Sequence, residues 1–382
     1  MLRYRQVGAR HGESRTPAIH LVDHGRLWET VHLDSFIAAL PKAELHVHLL
    51  GSADVATVAA LAQRHPERGV PQDPAELAAY YEFTDFAHFL EVYTAVNRLV
   101  TTEADVEHLV IGLAKALAAD NTRYAEVTVT PLSHLRAGID PVGLADALNS
   151  GRATAARLGV EIAWVFDVSG DDGPRAGMST LDWVVRCAPP GTVAFGLGGP
   201  EAGVPRASFR ESFAAARAAG LRSVPHAGET TGPGEVRSAL TELGADRIGH
   251  GIGSATDPGL LAELAERGVP LEVCPTSNLR TGAVRSWAEH PLPRLLTAGV
   301  PVTIGTDDPG MFGTTPNLEY ARCATQLGMT TTDLVSLARA GFDAAFCAPS
   351  TRQAMHAELD AITAGRGVRA EALELGTRRF LA

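Results

Sequence analysis

No uninterrupted apolar run of about 18 residues occurs in the chain, so the pattern of a membrane-spanning helix is missing. Cysteine is scarce. The four that occur, Cys187, Cys274, Cys323 and Cys347, form no CxxC pair and no dense framework, which excludes a disulfide scaffold and fits reduced core residues. Lysine and arginine number 33 against 44 aspartates and glutamates, for a net charge of −11. Without a basic block, binding along a phosphate backbone is excluded as the main activity. An apolar secretory core is also missing from the first residues, where Met1–Val7 run into Gly, His, Glu, Ser and Arg. The expectation is a cytoplasmic protein with a small-molecule partner, without membrane or nucleic-acid binding.

What is present suits a globular enzyme. Hydrophobic residues make up 45% of the chain and charged residues 20%, and 382 residues lie within the range of one α/β barrel carrying insertions. Residues 1–32 lack sustained periodicity and hold four histidines, at 11, 20, 24 and 32, which reads as an N-terminal extension. The catalytic domain is expected over 33–382, opening with a short helix from Asp34 to Leu40 that Pro41 stops.

Short apolar or β-branched runs then alternate with amphipathic stretches. Strands are expected at 44–49, 124–130, 161–168, 192–197, 222–226, 246–250, 270–274 and 301–306. Eight such units predict a single (β/α)8 TIM barrel, with further helices over 316–382. Between the first two strands, residues 54–118 are helical in pattern, with Phe86, Phe89, Leu90, Tyr93 and Val96 on one stripe. This insertion is long enough to cover the mouth of a site, although aromatics at that spacing also serve as plain core.

Polar residues recur where these strands end, the place where such barrels carry their chemistry. On the first strand His46 and His48 alternate onto one face, about 6–7 Å apart. The fifth ends in His226-Ala227-Gly228-Glu229, the sixth in Gly249-His250-Gly251, and the eighth in Thr306-Asp307-Asp308-Pro309. Each alone has an ordinary structural explanation, such as a loop cap or a helix start. Together they can supply zinc with three imidazoles (His46, His48, His226) and a carboxylate (Asp307) while leaving a position for water. Such a metal lowers the pKa of water to about 7. Glu229, His250 and Asp308 remain for proton transfer and orientation.

These motifs, with Leu40-Pro41-Lys42-Ala43-Glu44-Leu45-His46-Val47-His48-Leu49, Arg247-Ile248-Gly249-His250-Gly251 and Cys274-Pro275-Thr276-Ser277-Asn278, resemble the adenosine deaminase family of metal-dependent aminohydrolases over roughly residues 40–350. The resemblance implies one zinc per chain on His46, His48, His226 and Asp307. It also implies that Glu229 protonates purine nitrogen 1, that His250 activates the water, and that Asp308 contacts that water and nitrogen 7. Gly199, in Gly196-Leu197-Gly198-Gly199-Pro200-Glu201, matches the glycine whose N–H meets nitrogen 3. Binuclear relatives carry Lys or Glu at the fourth strand, and this chain has neither before Gly199.

One departure bears on substrate. Adenosine-specific members continue the first motif as His-Leu-Asp-Gly, whereas this chain has Leu49-Leu50-Gly51. Leu50 cannot accept a hydrogen bond from a 5′-hydroxyl, and leaving that group buried and unmatched costs about 1–3 kcal/mol. The family includes 6-amino-6-deoxyfutalosine, a menaquinone-pathway intermediate with a benzoate at its 5′ end. A 5′-modified adenosine of that kind is therefore expected, with adenosine or 2′-deoxyadenosine in purine salvage as the alternative. Arg136, Arg175 and Ser169 follow the second and third strands as candidate contacts for the benzoate. A metal hydrolase of esters, amides or phosphates would share the ligands but gives Glu229 and Gly199 no purine edge to meet, and a silent nucleoside-binding protein would not need Glu229 and His250 intact.

Overall fold

The computed structural model describes the backbone of residues 24–379 and the side chains of residues 32–364. Most of the expected extension, with His11 and His20, lies outside the described residues. Helix α1 (His24–Ala39) begins well before Asp34, because the stretch from His24 carries no regular apolar stripe that would have marked it. Leu40 and Pro41 end it as expected. The buried Lys42 ammonium then donates to Ile37 O at 2.6 Å, Leu40 O at 2.8 Å and Asp120 O at 3.1 Å, tying the end of α1 to the far side of the first βα unit.

Eight parallel strands follow in chain order: β1 (Lys42–His48), β2 (Thr122–Val129), β3 (Glu161–Ser169), β4 (Thr192–Gly198), β5 (Arg222–Ala227), β6 (Ile248–His250), β7 (Leu271–Val273) and β8 (Val302–Ile304). The expected (β/α)8 barrel is therefore the fold. Its seam is closed by the residues expected to hold the metal. His48 N–H donates to Asp307 O at 2.8 Å, and Asp307 N–H donates to His46 O at 2.8 Å.

Between β1 and β2 run α2 (Val55–Arg64), α3 (Pro74–Tyr80), α4 (Phe86–Asn97) and α5 (Glu103–Ala119). Each starts on a side-chain cap: Asp54, Asp73, Asp85 and Thr102 respectively. Helix α5 packs on β2 and on the helix Pro141–Arg157, so it is the regular barrel helix and α2–α4 are the insertion. The helix Thr331–Ala344 packs on β8 and β1 and completes the ring, and Pro349–Arg379 follows it. No helix among the described residues is long and apolar enough to cross a membrane.

The apolar core lies between strands and helices, in two large clusters around Phe166 and Leu271. The barrel interior combines a small apolar cluster of Val165, Ala194 and Val224 with buried charge. Arg247, just before β6, is 1% exposed and bridges the buried Glu126 and Glu272, while its guanidinium lies 3.8 Å from the centre of the Phe346 ring and donates to Ala344 O at 2.7 Å. Buried charges are costly unless paired and hydrogen-bonded, and here each finds both. This network is the floor beneath the site.

Candidate active site

Alternation along β1 turns His46 and His48 to one face, with ring centres 5.6 Å apart, and sends Val47 into the apolar cluster. His226 on β5 and His250 at the end of β6 bring their rings to 4.6 and 4.7 Å from that of His46. His250 (φ 58°) and Asp307 (φ 63°) take left-handed backbone conformations that side chains rarely adopt. At Asp307 the strain is held by the seam, since both its backbone groups are bonded to β1.

His46, His48, His226 and Asp307 each offer one ligand atom, all within 4.8 Å of one another. His48 Nε2 lies 3.2 Å from His226 Nε2 and 3.3 Å from Asp307 Oδ1, and His46 Nε2 lies 3.6 Å from the same oxygen. Donors about 2.0–2.1 Å from a tetrahedral zinc stand about 3.3 Å apart. His46 Nε2 has no hydrogen-bond partner among the described residues, as expected of a nitrogen reserved for a cation. A second grouping, His46, His250, Cys274 and Asp307, is also compact. Burial and nearby carboxylates keep the Cys274 thiol well above its usual range, and it does not line the cavity. The donor set that faces open space is the first.

Two of these ligands are fixed from behind. His46 Nδ1 is 2.9 Å from Glu272, which Arg247 holds in turn, and Ser277 Oγ donates to Asp307 Oδ2 at 2.6 Å. Burial opposes charge on His46, but the Asp307 carboxylate beside Nε2 and the Glu272 carboxylate bonded to Nδ1 outweigh it and push the ring up to about 10. Asp307 is held well below the usual carboxylate range: burial opposes this, and the adjacent His46 with the other surrounding imidazoles prevails. Burial first, then the neighbouring rings, lowers His226 well below its ordinary value, and burial lowers His48.

Beside this cluster, His250 Nε2 lies 3.6 Å from Glu229 Oε2 and 3.7 Å from Asp307 Oδ2. Burial, then the negative charges of Asp307 and Glu201, raises Glu229 well above the usual range and so favours its protonated form. Burial brings His250 down to about 3, and its ring is neutral. Burial and Asp307 raise Asp308, whose Oδ1 lacks a hydrogen-bond partner among the described residues. Gly51 packs so closely that a Cβ there would fall 1.7 Å from that oxygen.

All seven of these residues except His46 line one cavity of about 400 Å³, a size suited to a small ligand. Gly199 lines it too, at φ 71°, and a Cβ there would strike Ser169 Oγ at 2.4 Å. Leu50 is not brought to it. It is 5% exposed, packed in the apolar cluster beneath the insertion. Arg136 and Ser169 line the wall, with Arg136 paired to Asp172 at 2.6 Å, whereas Arg175 is exposed and outside the lining. The insertion contributes Phe86, Phe89, Tyr93 and Arg98 of α4 and its end, so the aromatic stripe is both core and cavity wall.

Sequence reasoning passed over Asp167, a buried carboxylate at the end of β3 that accepts from Thr130 and lines the cavity. Its place at a strand end was a usable signal. Arg98 carried none. Ser277 and Asn278, whose amide lies 3.3 Å from His250 Nδ1, were visible only as letters of a motif, and Glu272 only as part of an expected strand.

Comparison with known proteins agrees with this geometry. Residues 41–362 match the family model described as adenosine deaminase. An aminodeoxyfutalosine deaminase of Streptomyces avermitilis is 51% identical over 335 residues, 87% of this chain and 94% of that protein. Among solved structures, an adenine deaminase from Arthrobacter aurescens superposes with a TM-score of 0.80 at 29% identity, covering 84% of this chain and 98% of its own. An amidohydrolase from Burkhoderia ambifaria with bound zinc gives 0.80 at 29% identity, over 88% and 94%. With its barrel, its His–Asp cluster and this match over most of its length, the chain belongs to the adenosine deaminase family.

Proposed function

We propose that the protein is a zinc-dependent hydrolase that removes the 6-amino group of a 5′-modified adenosine, 6-amino-6-deoxyfutalosine of menaquinone biosynthesis, releasing ammonia. One observation carries the chemistry: a cation-sized cluster of three imidazoles and Asp307 shares a cavity with a protonated Glu229 and a neutral His250. His46, His48, His226 and Asp307 would hold one zinc, which supplies a nucleophilic water at neutral pH.

The remaining residues act on the purine and on protons. The Gly199 N–H donates to nitrogen 3, and Glu229 donates its proton to nitrogen 1, so that negative charge does not build up on the ring as water adds to carbon 6. His250, neutral and within reach of the cluster, takes the proton that water loses. Asp308 orients that water and meets nitrogen 7. His250 then passes its proton to the amino group, which leaves carbon 6 as ammonia, while the hydroxyl left on carbon 6 gives up its remaining proton to become the carbonyl and so restores the proton that Glu229 donated.

The 5′ assignment has two supports. The 51% identical relative is an aminodeoxyfutalosine deaminase. The outer wall carries two cations, Arg136 and Arg98, and Arg98 has no carboxylate partner among the described residues, leaving it available to a benzoate. Leu50 supplies neither a hydrogen-bond acceptor nor cavity surface, so it makes no contact with the 5′ group. The test is kcat/KM for 6-amino-6-deoxyfutalosine against adenosine. A preference of at least tenfold for the former is expected, and a preference for adenosine would replace this reading with purine salvage.

A further inference from the structure

The loop that follows β4 supplies Gly199 and then turns away from the cavity, but two of its later side chains return to grip the end of β5 from outside. Glu201 is 2% exposed. Its Oε2 accepts from the backbone N–H groups of Glu229, Thr230 and Thr231, each at 3.1 Å, and from Thr231 Oγ1 at 2.6 Å. Three successive amides converging on one carboxylate oxygen fix the turn that presents Glu229. Arg206, fully buried, donates to His226 O at 3.1 Å and, on its own loop, to Pro200 O at 3.0 Å and Val204 O at 2.9 Å. The arginine thus fastens the backbone near the end of β5 at His226, and the glutamate fastens the loop that follows it.

Neither side chain lines the substrate cavity. Both connect the residue expected to meet nitrogen 3 of a purine with the residue expected to protonate nitrogen 1. We propose that Glu201, braced by Arg206, is a positioning residue that sets the separation between the Gly199 N–H and the Glu229 carboxyl, and so matches the site to the edge of a six-membered purine ring. This rests on the deaminase reading above. It adds a residue that acts only through Glu229.

A double-mutant cycle on the zinc-loaded full chain tests it, with kcat, KM, zinc content and melting temperature measured for every variant. Glu201→Ala is expected to lower kcat roughly 10- to 100-fold with zinc content kept, within the range that a misplaced acid loses. Glu201→Gln, which keeps an acceptor oxygen, should recover most of that loss. In a Glu229→Gln background, Glu201→Ala should cost less than about threefold more, because the group being positioned has already lost its proton. Equal losses in the two backgrounds, or a glutamine variant no better than alanine, would overturn the proposal. Should Glu201→Ala fail to fold, Thr231→Val removes one donor to Glu201, and the same non-additivity, at a smaller size, is required of it. If Glu229→Gln itself leaves deamination unchanged, the deaminase reading fails. If Glu229→Gln is slow and Glu201→Ala harmless, only the positioning role fails.

Discussion

The mouth of the barrel has two unlike arcs. Along β5, β6, β8 and back to β1, strands β6 and β8 are three residues each, and the polar side chains sit in short motifs at the strand ends, His46 with His48, His226 with Glu229, and Asp307 with Asp308. Along β2, β3 and β4 the strands run to eight, nine and seven residues, and the wall is built from residues scattered between Arg98 and Pro200. Strand β6 stops at His250, where the backbone turns left-handed, whereas β8 ends at Ile304 and Asp307, also left-handed, is held beyond it by a single bridge to β1. Chemistry and recognition are thus separated. The first arc is buried and held from behind by Glu272, Ser277 and Glu201, while the second has exposed charges in pairs such as Arg136–Asp172, the kind that contributes little to stability.

If that division holds, damage to the first arc should abolish turnover of every substrate. His46→Ala should lose the metal and essentially all activity, as metal analysis beside an ammonia-release assay would show. Glu229→Gln should slow deamination by roughly 100-fold or more while retaining zinc. Equal zinc loss in both variants would erase the distinction between the residues that hold the metal and the residue that moves a proton.

Smaller effects sharpen the contrast. Ser277→Ala frees Asp307 Oδ2 from its hydrogen bond and should weaken zinc about 10- to 100-fold in a chelator competition, with KM little changed. On the second arc, Arg98→Ala should lower kcat/KM about tenfold for a 5′-carboxylated nucleoside and less than about twofold for adenosine. An equal loss on both substrates would show that the wall is not a recognition surface.

The mildest expectation concerns stability. His134, buried behind the second arc, is lowered from 6.5 to about 4 by burial. Between those values the unfolded chain binds a proton that the folded chain refuses, so this contribution is complete above about 6.5 and lost as pH falls toward about 4. From pH 7 to pH 5 the loss should be about 2 kcal/mol, and His134→Leu should flatten that part of the melting-temperature profile without altering selectivity.

The sequence alone determined the barrel and the chemical arc. Strand alternation, eight apolar runs and polar residues at their ends are local patterns, and period-two geometry places His46 and His48 together before any long-range contact forms. Its estimate of α1 fell short because an α-helix without a regular apolar stripe leaves no mark in local periodicity. Only the tertiary structure decided which carboxylate faces the cavity at β3, that Arg98 reaches the wall, that Leu50 does not, and that Glu201 grips the turn bearing Glu229. Those placements depend on where loops cross after eight strands have closed into a ring. Ring closure joins residues such as His46 and Asp307 that the chain keeps far apart, and no nearest-neighbour pattern along the chain records that joining.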